Sequence, residues 1–296
     1  MAMTALKILE TARAGDPERL GVEREIVADA VSQFAEVGDA ASALELVGRT
    51  WRLWLSGAQL DAGRAVVAAA LAVPRRSVIP IWEARALYAD GIFAFRAGDQ
   101  PRSRAANESA LRIAQVTSDV RGECDALTGL ARVALRDGKY DEVVALAKQA
   151  RERAAVAGDR EAGAPPLHLH AAGTRLLRDY RTARELYLES LRLNTELGKP
   201  TSVSMELHNL GWVELHLGEV DAARARFHER DAAMAADSYD DAWTELNWSA
   251  VAAAEGDVDE ARRRFAIGTN ALEGLGVTLD PDDLSELEWL KERVGA

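Results

Sequence analysis

A short turn of similar sequence recurs about every forty residues, and this period constrains the fold more than any other feature of the chain. The turns read SGAQ at 56–59, AGDQ at 97–100, RDGKY at 136–140, LRDY at 177–180, LGEV at 217–220 and EGDV at 255–258. Equivalent positions lie 41, 40, 40, 40 and 38 residues apart. Such a period indicates stacked supersecondary units, each burying its apolar face against its neighbours.

Each turn separates two segments with helical apolar spacing, so the repeating unit is a pair of helices. A glycine after a helix supplies the left-handed cap that other residues resist, and the following acidic residue favours the start of the next helix. Seven residues before the last five turn positions stands a small residue: Gly91, Ala131, Ala171, Gly211 and Ser249. Small residues at one register position predict close helix contacts, and the whole pattern predicts an all-α fold.

The residues that carry this register resemble the tetratricopeptide repeat. The clearest copy is Leu207-x-x-Leu210-Gly211, followed by Gly218-Glu219-Val220-x-x-Ala223-x-x-x-Phe227. The family's usual repeat is 34 residues, so helices here should be almost a turn longer. Armadillo and HEAT units also approach forty residues, but they lack this Gly-Asp turn and small-residue register. The resemblance implies a right-handed α-α superhelix of about six helix-turn-helix units with helical caps.

A second resemblance covers residues 23–71. The string Trp51-Arg52-Leu53-Trp54-Leu55-x-Gly57 is similar to the opening of the C-terminal tetratricopeptide region in large bacterial ATPase-type transcriptional regulators of the LuxR or AfsR kind. Those regulators carry a nucleotide-binding module and often a DNA-binding domain. The chain contains no G-x-x-x-x-G-K-[ST] phosphate loop and no basic recognition helix. The resemblance therefore implies a helical sensor or scaffold arm alone.

We expect one domain over residues 1–296, with an N-terminal helix pair over 1–38, repeats over 39–276 and a capping helix over 277–296. Asp280 can cap that last helix and Pro281 fits its first turn. Its expected apolar face consists of Leu284, Leu287, Leu290 and Val294. Its acidic residues are expected to face water: Asp282, Asp283, Glu286 and Glu288.

Composition narrows the possible functions. The net charge of −12 argues against binding nucleic acid. No apolar run approaches the roughly 20 residues of a membrane span. Cys124 is the one cysteine, and the start of the chain does not read as a signal peptide, so the sequence predicts a cytoplasmic protein. The segment 237–288 carries 14 acidic residues against three arginines, either for solubility or as a docking surface for a basic partner.

The sequence contains no motif that indicates catalysis or a cofactor. No G-x-S-x-G elbow, G-x-G-x-x-G loop or His-x-x-x-His zinc pattern occurs. His168 and His208 occupy the same repeat position one period apart, so both could touch one ligand, and a metal between them would need a third ligand such as His216. The simpler interpretation is that His168 and His208 are two unconnected polar residues of the groove. We therefore predict no enzyme, no cofactor and no metal.

The remaining candidate site is the concave groove formed by the first helix of each pair. Projecting the register places these predicted ligand-binding residues there: Arg132, Arg136, His168, Arg175, His208, Asn209, Trp212 and His216. Arginine grips carboxylates at two points, and asparagine can bind a peptide backbone. We predict a protein or peptide partner with an acidic side chain or C-terminal carboxylate. Alternatively, these arginines pair with the protein's own carboxylates.

The leading functional interpretation is a non-catalytic binding scaffold with a regulatory role. It is expected to be a monomer or weak homodimer because its acidic cap repels a copy of itself. The main alternative is a sensor of small molecules or signalling peptides, and an enzyme with an unfamiliar site comes third.

Overall fold

The chain is mainly helical over the residues that its computed structural model describes, which are 2–15, 24–55, 59–74, 79–233, 238–276 and 279–295. The helices are α1 Ala2–Ala14, α2 Arg24–Glu36, α3 Ala40–Thr50, α4 Leu60–Ala72, α5 Pro80–Arg96, α6 Gln100–Thr117, α7 Val120–Arg136, α8 Tyr140–Ala157, α9 Arg160–Leu176, α10 Tyr180–Glu196, α11 Pro200–His216, α12 Val220–Ala233, α13 Ser238–Glu255, α14 Val258–Leu275 and α15 Pro281–Val294. One 3-10 turn, Trp51–Trp54, follows α3. Within those ranges there is no strand, so the all-α prediction is confirmed. Nor is any described helix long and apolar enough to cross a membrane.

The predicted turns have the expected geometry. Gly98, Gly138, Gly218 and Gly256 all have φ between 71° and 87°, where a β-carbon is disfavoured. The acidic residue after the turn caps the next helix, since the Asp99 and Asp257 carboxylates accept hydrogen bonds from the backbone N–H three residues later. Residues 56–58 of the first predicted turn lie outside the described residues.

Arg178 occupies the turn position that is glycine in its neighbours, and its φ of 64° lies in the left-handed region. A side-chain-bearing residue in that region costs about 1–2 kcal/mol of backbone strain. Relief of the strain exceeds the extra flexibility that glycine gives the unfolded chain. We expect Arg178→Gly to raise the free energy of unfolding by about 0.5–1 kcal/mol in urea denaturation. Arg178→Ala keeps a β-carbon and should leave stability within roughly 0.5 kcal/mol of the parent.

The small-residue register marks close contacts between the two helices of a pair. A β-carbon at Gly211 would lie 2.3 Å from the Phe227 ring, and one at Gly91 would lie 2.4 Å from Nδ2 of Asn107. Phe227 and Asn107 occupy the same register position, and both are completely buried. The register therefore works as predicted even where asparagine replaces the aromatic residue.

The described chain forms two compact units. Unit 1 comprises residues 1–133 and 152–159, and unit 2 comprises residues 134–151 and 160–296. The division falls within α7 and α8. That residues 1–296 act as one domain stays a prediction.

Candidate functional site

The C-terminal helix α15 is built into unit 2 on two of its faces. Leu287, Leu290 and Val294 join the core that contains Trp243. The prediction that its acidic residues face water is wrong for Glu286, which is only 2% exposed. Leu284, expected on the apolar face, is 48% exposed. The orientation of α15 therefore differs from the predicted one: it buries the Glu286 carboxylate together with the leucines and leaves Leu284 exposed.

Arg175 of α9 holds those carboxylates. Its Nη1 donates to Oε1 of Glu286, and its Nη2 donates to Oδ2 of Asp282 at 3.0 Å. Arg175 is itself 5% exposed, so this is a desolvated arginine between two carboxylates one helical turn apart. The predicted ligand-binding arginine therefore binds acidic side chains, and they belong to the same chain.

His208 of α11 lies on the other side of Glu286. Its Nε2 is 3.2 Å from Oε2 of that carboxylate, and its ring centroid is 5.1 Å from that of Trp243. Burial lowers the pKa of His208 to about 3, and nearby Arg230 and Arg175 act in the same direction. The imidazole is therefore neutral at physiological pH.

Burial in this cluster changes the pKa of two carboxyl groups, those of Glu286 and Asp283. Burial raises the pKa of Glu286 to about 8, and Asp282 also raises it, although Arg175 acts in the opposite direction. Burial likewise raises the pKa of Asp283, whose Oδ2 accepts a hydrogen bond from the Tyr239 hydroxyl at 2.8 Å. Arg175 contacts two of these carboxylates, and the charge of the third, Asp283, also acts on it, so the cluster has excess negative charge that favours retention of a proton.

His168, one repeat before His208, has a different environment. Its Nδ1 lies 3.1 Å from both carboxylate oxygens of Glu206, which also accepts a hydrogen bond from Ser190 at 2.7 Å. Burial by itself lowers the pKa of His168, but the charge and hydrogen bond of Glu206 outweigh it and raise the pKa. The two histidines share a register position, yet one is driven towards the charged form and the other towards the neutral form.

Arg136 and the aromatic residues complete the contacts to α15. Nε of Arg136 donates to Oδ1 of Asp280 at 2.9 Å. Asp280 therefore does not cap α15 through its side chain as predicted, although Pro281 does occupy the first turn. The Trp289 ring of α15 lies 5.6 Å from Trp212 and 5.7 Å from His216, both edge to face.

The other two predicted site residues lie elsewhere. Asn209 is 3% exposed, and its amide donates to the Met205 carbonyl within α11. Arg132 belongs to unit 1, where its Nη1 is 3.5 Å from the Tyr88 hydroxyl. The predicted residues Arg136, Arg175, His208, Trp212 and His216 thus meet at α15.

A cation site is the other chemistry that this cluster suggests. His208, Asp283 and Glu286 offer three ligand atoms within 4.8 Å of one another. The Arg175 guanidinium already contacts Glu286 and provides positive charge at that point. Nδ1 of His208 and Oε2 of Glu286 make no hydrogen bond among the described residues, so the arrangement leaves two buried polar atoms unsatisfied.

Sequence reasoning missed the acidic half of the site. Asp282, Glu286, Trp289 and Arg293 follow one another at spacings of 4, 3 and 4 residues, which places them on one helical face. This second stripe could have revealed the acidic half of the site, because an acidic and aromatic stripe beside a leucine stripe indicates a helix that is buried on two sides.

These pKa shifts predict how stability changes with pH. Glu286, Asp283 and His168 all have pKa values raised in the folded state, so the stability they contribute is lost as pH rises through the folded values. Burial lowers the pKa of His208, His170 and His216, so these three groups together outweigh the two carboxyls and make stability fall as pH drops below about 6.5. We expect maximal stability near pH 6 and a loss on the order of 2 kcal/mol by pH 8 in urea denaturation.

Glu286→Gln is the matched control for this prediction. It keeps an oxygen that accepts from Arg175 but cannot titrate, so the loss between pH 6 and pH 8 should shrink markedly. A parent protein that is equally stable or more stable at pH 8 would contradict the assignment.

Comparison with known proteins establishes the fold. No protein-family model matches the chain, and no curated protein sequence matches it. The solved structure of BtubC from P. vanneervenii matches with a TM-score of 0.60 and 21% identity, over 76% of this chain and 96% of that one. A Rap protein complexed with Competence and Sporulation Factor matches with a TM-score of 0.63 and 11% identity, over 91% and 75%. NprR in complex with its cognate peptide NprX matches with a TM-score of 0.64 and 13% identity, over 98% and 82%.

These likenesses show the fold. The chain has a tetratricopeptide-like helical-repeat fold, as its residue register predicts. Identities of 11–21% carry no function across by themselves.

Proposed function

We propose that this chain is a non-catalytic, peptide-binding regulatory protein whose binding surface in unit 2 consists of Arg136, Arg175, His208, Trp212 and His216. The observation that carries the proposal is α15 itself. It is an acidic, aromatic helical segment held by those side chains. The Rap protein and NprR, which share the fold, are bound to a signalling factor and a cognate peptide respectively, which supports a peptide as the partner.

The chemistry of the surface defines the partner. Arg175 bridges two carboxylates one helical turn apart, and Trp289 follows Glu286 by three residues. A partner segment with two acidic residues and a neighbouring aromatic residue would satisfy the same groups and compete with α15. We propose that α15 is the resident ligand of this surface and that an external acidic segment replaces it.

The wider context is also a proposal. The similarity of residues 23–71 to the tetratricopeptide region of ATPase-type transcriptional regulators supports a role as a sensor or scaffold arm in the cytoplasm. In that role the chain transmits binding to a partner and does not catalyse a reaction.

The test uses a labelled peptide with the sequence of residues 279–295 and the full-length chain. In the parent, tethered α15 competes at high effective concentration, so peptide binding is expected to be weak. Glu286→Ala in the chain weakens the tethered helix but leaves Arg175 in place. This variant should bind the peptide about tenfold more tightly than the parent does.

The control peptide carries Asn at the position of Asp282 and Gln at that of Glu286. It should bind the Glu286→Ala chain about tenfold more weakly than the acidic peptide does. Equal affinity for the two peptides, or no binding of either, would refute the acidic-segment proposal.

A further inference from the structure

Unit 1 has its own concentration of positive charge, separate from the surface bound by α15. Six arginines are involved, on α3, the 3-10 turn, α5 and α7: Arg49, Arg52, Arg85, Arg96, Arg121 and Arg132. Their charges act on common neighbours. Arg52, Arg85 and Arg121 act on the partly buried Asp125 carboxylate, and Arg52 and Arg132 act on the Tyr88 hydroxyl. A basic cluster in a chain of net charge −12 is a local feature that the overall composition hides.

Two of the six arginines are paired with carboxylates. Arg49 donates to Glu45 at 3.0 Å. Arg121 contacts Asp125 at 3.2 Å and forms a short ion pair with Asp159.

The other four have no carboxylate within ion-pair distance among the described residues: Arg52, Arg85, Arg96 and Arg132. Arg96 donates to the Leu55 carbonyl at 2.8 Å, and Arg132 approaches the Tyr88 hydroxyl at 3.5 Å. Asp119 and Asp125 act on Arg85 only at longer range.

Aromatic rings hold two of these guanidinium groups in position. Arg85 lies 4.7 Å above the Trp82 ring centroid, which Arg49 also contacts at 4.5 Å. Arg52 lies 4.5 Å from the centroid of Trp51. Because each ring supports the flat face of a guanidinium, the N–H groups at its edge stay available to an anion.

Arg85 is partly buried and Arg96 is largely exposed, and partial loss of water acts on both charges. This loss of water lowers the pKa of Arg85 and of Arg96, and the neighbouring Arg132 lowers that of Arg96 further. Both guanidinium groups still carry their charge at neutral pH. A bound anion would remove this penalty, since charges withdrawn from water are stabilised by a partner.

We propose that this arginine cluster of unit 1 is a binding site for an extended acidic peptide segment, whose carboxylates pair with Arg52, Arg85 and Arg132. The unpaired guanidinium groups come from three elements, the 3-10 turn, α5 and α7, and packed helices lie about 8–10 Å apart. A single small anion can bridge only neighbouring groups, whereas an extended peptide presents carboxylates at intervals that match this spread. The site is independent of what unit 2 binds.

The test measures fluorescence anisotropy of a labelled octapeptide of alternating glycine and glutamate with the full-length chain. The reference peptide replaces every glutamate with glutamine. Non-specific attraction is not a concern because the protein's net charge repels a polyanion. The glutamate peptide should bind at least about tenfold more tightly than the glutamine peptide.

Variants then locate the site. Arg52→Gln with Arg85→Gln should weaken binding of the glutamate peptide at least about tenfold. Arg112→Gln, an exposed arginine on α6 of the same unit, should leave the affinity within about twofold. If the double variant loses stability, the single variant Arg52→Gln replaces it, because Arg52 is exposed and its substitution should not affect folding. Arg52→Gln alone should weaken binding of the glutamate peptide about threefold.

Three outcomes would overturn the proposal: equal affinity for the two peptides, equal affinity of the parent and the Arg52→Gln, Arg85→Gln variant, or complete competition by inorganic phosphate at the peptide's own concentration. The last would assign the cluster to a small free anion. Arg192→Gln, at an exposed arginine on α10 of unit 2, should also leave the octapeptide's affinity within about twofold, so this test depends on unit 1 alone.

Discussion

Trp212→Ala is expected to lower the free energy of unfolding by about 3–5 kcal/mol, because it removes a large side chain from a site that cannot collapse. Trp212 is completely buried in the core of unit 2. Its ring lies 6.5 Å from Phe227 and 5.6 Å from Trp289 of α15. Its Nε1 donates to Oδ1 of Asn247 at 2.8 Å, so the substitution also leaves a buried amide without that partner.

Trp212→Phe separates the two contributions. Phenylalanine retains much of the ring but loses the N–H group, and we expect a loss of about 1–3 kcal/mol. Urea denaturation of the parent and both variants measures the difference. A cost below roughly 1 kcal/mol for Trp212→Ala would show that the cavity closes or that the residue is not buried in solution.

This expectation also changes the interpretation of Trp212 as a ligand contact. The repeat register predicts that Trp212 points towards the groove, and its contact with Trp289 agrees with that direction. Its groove-facing side is covered by α15. An external ligand would therefore reach Trp212 only after α15 leaves.

The repeat register of the chain could be predicted because it depends on local chemistry. A left-handed glycine at Gly98 or Gly218, and a small residue facing an aromatic one at Gly211, are each decided within about twenty residues of sequence. The same conditions recur from one repeat to the next, so several weak sequence signals at one period reinforce each other. Even Arg178 follows the backbone of the turn, although its side chain does not favour it.

The position of α15 could not be predicted in the same way. Its contact to Arg175 joins residues more than a hundred positions apart, and no repeat period relates the last helix to α9. Amphipathic analysis assigns the leucine face to the core and leaves the acidic face to water. Only the arrangement in space shows that Arg175, a predicted acceptor of acidic ligands, is satisfied by Glu286 and Asp282.

Arg175→Met is expected to have the largest effect on α15. It removes the only cation within hydrogen-bonding distance of Glu286 among the described residues and leaves that carboxylate buried at 2% exposure. Above pH 8, where Glu286 is ionised, breaking this buried ion pair on one side costs about 3–5 kcal/mol. Releasing α15 returns Glu286 to water and avoids most of that cost, so the helix should detach before unit 2 unfolds. Hydrogen exchange of the amides over 281–294 should accelerate at least about a hundredfold, the equivalent of roughly 3 kcal/mol.

The double variant Arg175→Met, Glu286→Leu tests the cause. A buried ion pair replaced by apolar residues of similar volume is often neutral or stabilising by about 1–4 kcal/mol. Asp282 keeps only a partly exposed position, so it can turn towards water once Arg175 is gone. We therefore expect the double variant to restore slow exchange over 281–294, which a loss of packing at position 175 alone would not do. Fast exchange in the double variant, or slow exchange in Arg175→Met, would show that the leucine face alone holds α15 and that the acidic surface is not what retains it.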